Sequence, residues 1–96
     1  MSHLLKYTEW QGASGKWYAT DVSDFANGSY KWWYVPRMLN MELTDYIKLL
    51  KNDFNASFYC WKEESNILLW DWQNYSDCHN FVLFVNREAR KRKFFI

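Results

Sequence analysis

The sequence predicts a single α+β domain over residues 1–96, and three observations carry that prediction. Short β-prone runs bounded by turn residues fill the first third of the chain and recur after Phe54. Between them, from Asn40 to Phe54, the apolar period changes from two to about 3.6. Aromatic residues make up 22% of the chain, seven each of Trp, Tyr and Phe, so a chain of only 96 residues can still fill a core. A domain of this size buries roughly 60–70% of the surface its unfolded chain exposes, which leaves room for one core and no second.

Taken in order, "LLKYTEW" and "KWYATDV" read as the two strands of a hairpin, because "QGASG" between them supplies Gly12 and Gly15 for the turn. After the break at "SDFANG", "YKWWYV" reads as a third strand that ends at Pro36, which has no N–H for a ladder. The helix of residues 41–54 follows: Leu39, Leu43, Tyr46, Ile47, Leu50 and Phe54 share a stripe, Asp45, Lys48, Lys51 and Asn52 lie opposite, and Asn40 suits the N-cap. "FYCWKEESNILLWDW" reads as a second hairpin with its turn at Glu63–Asn66; Leu68, Trp70 and Trp72 share one face and Ile67, Leu69 and Asp71 the other. "NFVLFVN" suits a buried strand as well as a helix. Ser76 as N-cap, the stripe Cys78, Val82, Val85 and Ala89, and basic residues in the closing turns favour a C-terminal helix. The small antiparallel sheet, two hairpins plus the third-segment strand, then packs against the central and C-terminal helices.

The stretch "KWWYVPR" is the first candidate for a binding surface. On a strand, Tyr30, Trp32 and Tyr34 share a face and should be core, while Trp33 lies with Lys31 and Val35 on the other. Trp33, Lys31 and Arg37 are therefore candidate contacts for a partner, since Trp, Tyr and Arg dominate interface hot spots. The second candidate is electrostatic. Residues 1–86 carry seven Lys or Arg against ten Asp or Glu, whereas Arg87–Ile96 carry five against one. Arg87, Arg90, Lys91, Arg92 and Lys93, followed by Phe94 and Phe95, could contact phosphates and stack on bases. The near-neutral total of +1 weighs against a protein that depends on neutralising many phosphates, and the same residues also suit a helix C-terminus.

Enzymatic constellations are sparse, so no catalytic residue is assigned. Cys78 and His79 are adjacent, but neighbours on a helix point about 100° apart, so adjacency does not make a nucleophile and base pair. Cys60, Cys78, His79 and Asp77 lack the paired spacing of a structural zinc site, Glu63 and Glu64 fall in a turn, and "GASGKW" lacks the spacing of a phosphate-binding loop. No metal or other cofactor is expected. Cys60 and Cys78, without a CxxC, read as two separate reduced thiols. No apolar run approaches the roughly 20 residues of a membrane span, and "MSHLLKYTEW" has no secretory apolar region, which places the protein in the cytoplasm with no membrane partner.

The series "SGKWY", "RMLNMELTDYIKLLKNDFNA" and "VNREARKRKF", over residues 14 to 94, resembles small uncharacterised proteins encoded by phages and prophages of Gram-positive bacteria. The resemblance implies accessory work in the host cytoplasm: modulating a host protein, blocking a defence system, or assisting phage nucleic-acid metabolism. It transfers no site residues. Together with the ring surplus it makes a non-enzymatic binding or modulatory role the leading expectation, with a host protein or a second copy of the chain as partner. Accessory nucleic-acid binding through the basic segment is the alternative.

Overall fold

Among the described residues, 7–21, 34–62 and 67–93 of this computed structural model, the elements run β1 (Tyr7–Gln11), β2 (Trp17–Asp21), α1 (Tyr34–Leu39), α2 (Leu43–Phe54), β3 (Ser57–Lys62), β4 (Ile67–Asp71) and α3 (Tyr75–Lys91). The fold is α+β. Each pair of neighbouring strands forms an antiparallel hairpin, β1 with β2 and β3 with β4, and the second ladder shifts register between Phe58 and Cys60.

The expected single sheet is instead two two-stranded ladders joined at one point. Trp17 and Trp72 exchange both backbone hydrogen bonds, N–H to C=O at 2.8 and 2.9 Å, where the start of β2 meets the residue after β4. A two-stranded hairpin is marginal alone, so each ladder depends on this joint and on the helices packed against it.

The segment expected to be a third strand is corrected at its end: Tyr34 and Val35 open a helix that runs through Pro36. Proline is tolerated there because the N–H groups of a helix's first turn have no intrahelical acceptor and the ring's fixed φ is already helical. Tyr30 to Trp33 lie outside the described residues. Asn40, expected as an N-cap, instead ends α1 with a left-handed φ of 54°, and across it the Met41 N–H donates to the Pro36 carbonyl. Asn55 does the same for α2, with φ 55° and the Ala56 N–H donating to the Leu50 carbonyl. Asparagine is among the few side chains that accept this conformation, and the motif satisfies carbonyls a helix end would leave bare. The N-cap of α2 is Glu42.

The core draws on every helix. Val35 and Met38 of α1, Tyr46 and Leu50 of α2, Trp72, and Cys78, Phe81, Val85 and Ala89 of α3 are buried together. The expected stripe on the C-terminal helix therefore holds, with Phe81 added to it. Phe81 is where rings from three directions converge: Tyr7 of β1 at 6.4 Å, Phe54 of α2 at 5.5 Å and Trp72 at 5.3 Å between centroids. Trp72 in turn meets Trp70 edge-on at 6.1 Å. The α3 N-terminus is capped by Asn74 rather than Ser76, and Asp77 in its first turn accepts from the side-chain amides of both Asn74 and Asn55 at 3.3 Å. That carboxylate also suits the positive end of the helix dipole.

Asp71 was expected opposite Trp72, and it is 4% exposed, with Lys16 Nζ at 3.7 Å from Oδ2. Lys16 leads into β2, so this ion pair spans the same junction as the Trp17–Trp72 bridge. The indole N–H groups of Trp70 and Trp72 are buried without an acceptor, a cost the ring packing must outweigh.

Trp72→Ala removes a fully buried ring at the joint between the ladders and should cost about 3–5 kcal/mol in denaturant unfolding. Leu83→Ala, on the exposed side of α3, should stay within about 0.5 kcal/mol. Similar losses from the two changes would contradict the placement of the core.

Candidate functional site

Strand alternation sends Tyr7 and Glu9 of β1 toward α3, while Trp10 goes to the opposite face and stacks on Tyr18 of β2 with centroids 4.6 Å apart. On α3, Tyr75 and His79 are one helical turn apart and therefore lie on the same side of the helix. The two patterns meet at Glu9. Its Oε1 lies 2.6 Å from His79 Nδ1 and accepts the Tyr75 hydroxyl at 3.0 Å. The Tyr75 ring stacks on the imidazole at 5.2 Å, and Trp17 of β2 packs edge-on against Tyr75 at 4.8 Å.

This arrangement fixes protons and rotamers. An ionised Glu9 can only accept, so both the Tyr75 hydroxyl and His79 Nδ1 donate to it. Nδ1 thus carries the proton that faces Glu9. The Tyr75 phenol is held above its ordinary range, first by its hydrogen bond to Glu9 and then by desolvation and the carboxylate's charge. Behind the pair, the Cys78 thiol is pushed up to about 12, by burial and then by the charge of Glu9. It is fully buried and protonated, while His79 is part-exposed at the surface, so the adjacent Cys78 and His79 do not act as one unit. Among the described residues no group of three or more His, Cys, Asp or Glu converges to hold a metal ion.

The outer side of α3 continues from this cluster at intervals of four residues: Tyr75 is 45% exposed, His79 part-exposed, Leu83 53% exposed, and Arg87 exposed. The Arg87 guanidinium sits 5.9 Å from the centre of the Phe84 ring. Of the other basic residues expected to form a nucleic-acid surface, Arg90, Lys91, Arg92 and Lys93 are all exposed. Glu88 holds Arg92 at 3.4 Å and Lys91 at 4.0 Å. Arg37 is exposed on α1, at a distance in the chain from the rest; Trp33 and Lys31 lie outside the described residues, as does the side chain of Cys60. No described helix is long and apolar enough to cross a membrane. Against family models, curated proteins and solved structures alike, the chain finds no match.

The Glu9, Tyr75 and His79 cluster was not legible in the sequence, since Glu9 and His79 are 70 residues apart. The only available signal was indirect: a carboxylate on a β-prone run, and a Tyr and a His four positions apart near a helix start.

The thiol gives a measurable consequence. Cys78 is raised in the folded protein from an ordinary value near 9.0 to about 12, so its stabilising contribution is complete below the lower value and is lost as pH rises toward the upper one. At pH 8 a thiol reagent should leave the Cys78 peptide unmodified in native protein and modify it after denaturation, read by mass spectrometry. Rapid native labelling would show that the helix does not bury this thiol.

Proposed function

We propose that the protein is a non-enzymatic binding module that docks on another protein through the outer side of α3, with Tyr75, Leu83 and Arg87 as its principal contacts. The observation that carries this reading is the restraint on Tyr75. Its ring is exposed, yet it is held by the Glu9 hydrogen bond, the His79 stack and the Trp17 edge contact. An exposed aromatic that has already lost its rotamer freedom binds at a smaller entropic cost than a free one. Leu83 adds a large apolar side chain that is 53% exposed, and Arg87 lies over Phe84. The resemblance to small phage and prophage proteins makes a host protein in the cytoplasm the partner, and modulation of that protein the outcome.

Accessory nucleic-acid binding is the second reading, favoured by the five exposed basic residues at the end of α3. Two of them are engaged by Glu88, and a central leucine adds nothing to phosphate contact.

Capture of a bacterial lysate protein by the immobilised chain separates the two. Leu83→Asp should reduce capture by an amount equivalent to about 2 kcal/mol or more, as for an interface hot spot, while Arg90, Lys91 and Lys93 changed together to Gln should leave it nearly intact. Nuclease-sensitive capture that falls steeply with salt, survives Leu83→Asp and disappears in the triple variant would establish the nucleic-acid reading instead.

A further inference from the structure

We infer, resting on α3 as the docking surface, that the partner presents an acidic amphipathic helix, with a carboxylate seated on Arg87 one helical turn from the apolar side chain that covers Leu83. Arg87 is an exposed cation, and among the described residues no carboxylate lies within ion-pair distance of its guanidinium. The carboxylates along α3 are each engaged elsewhere. Glu9 meets His79 and Tyr75, Asp77 accepts from the amides of Asn55 and Asn74, and Glu88 holds Lys91 and Arg92. What Arg87 does meet is the Phe84 ring, whose centre is 5.9 Å from the guanidinium carbon. A ring face attracts the charge but offers no pair of oxygens to the guanidinium's fork of N–H donors.

Leu83 supplies the second requirement. It is 53% exposed and stands four residues before Arg87, so the two side chains are neighbours on the helix surface. A phosphate would match the arginine and leave the leucine in water. A purely apolar surface would cover the leucine and strip water from the guanidinium without replacing its hydrogen bonds, which is costly. The complementary surface therefore carries an apolar side chain and a carboxylate about one helical turn apart. An amphipathic helix holds residues of that spacing on one side, and its side-chain rows can seat between those of α3. Arg90 and Lys93 are exposed and likewise lack a carboxylate partner among the described residues. They keep the field at this end of α3 positive, which disfavours a basic partner.

The test is a titration of helical peptides, to millimolar concentration, into the whole isotope-labelled protein, read by amide chemical shifts. The probe peptide carries Leu and Glu four residues apart on one face; two analogues replace that Glu by Gln or by Lys, and single-stranded oligothymidylate is run beside them. The Glu peptide should shift amides around Leu83 and Arg87. Affinity should fall about ten-fold with the Gln analogue, and by a similar factor in Arg87→Gln. Arg87→Glu should reverse the preference and bind the Lys analogue better than the Glu probe, an exchange that a merely structural effect of the substitution would not produce. Equal affinity for all three peptides, with shifts at Leu83 that Leu83→Asp removes, would overturn the acidic partner and leave the docking surface standing. Absence of shifts on α3 with every peptide would also overturn the acidic partner, and the docking surface would then stand or fall on lysate capture by Leu83→Asp. Oligothymidylate binding that requires Arg87 and survives Leu83→Asp would overturn it in favour of phosphate.

Discussion

The structure depends on Trp72 occupying two roles at one position. Its backbone closes the only described ladder contact between the two hairpins, and its ring lies fully buried against Phe81 and Trp70. Two-stranded ladders lack the hydrophobic face that would make them stable alone, so neither hairpin has an independent reason to persist. By fixing the backbone of β2 to the end of β4 and filling the core with the same residue, the chain couples strand pairing to helix packing. Loss of either would expose the other, which is the basis of cooperative unfolding in a domain this small.

Around that joint the helices act as a cover with aromatic fasteners. Phe81 reaches Tyr7, Phe54 and Trp72, so one side chain of α3 touches the first hairpin, the central helix and the junction between ladders. The edge-on geometries of the Tyr7 and Phe54 contacts, at 84° and 79°, place ring hydrogens against π faces, the arrangement aromatic quadrupoles favour. Among the described residues, rings thus make many of the contacts between elements. Among the rings whose exposure the structure describes, Trp10 and Tyr75 are accessible, and both are stacked on a neighbour.

The elements that could be read from the sequence were those whose evidence is local. Both hairpins follow from β-prone runs around turn residues, and the stripes Tyr46 with Leu50, and Cys78, Val82, Val85 and Ala89, repeat at the helical period and are buried. Pro36 misled because proline ends strands and also begins helices, and only the surrounding fold decides between these. Asn40 misled for a related reason: asparagine caps helix N-termini and also accepts the left-handed turn that ends one. The division of the sheet into two ladders and the cluster around Glu9 depend on contacts between distant segments. Neither composition nor periodicity encodes these, and a charged residue such as Asp71 gives no local sign that the half-buried Lys16 will meet it at the junction.

The placement of the joint has a consequence for how the chain is made. During translation Trp17 emerges long before Trp72, and at about 5–20 residues per second the first hairpin waits several seconds for the segment that completes it. Over that interval Trp17 has neither the Trp72 backbone to bond nor the Tyr75 ring to pack against. The first hairpin therefore precedes, in the order of synthesis, the backbone and the rings that complete its packing.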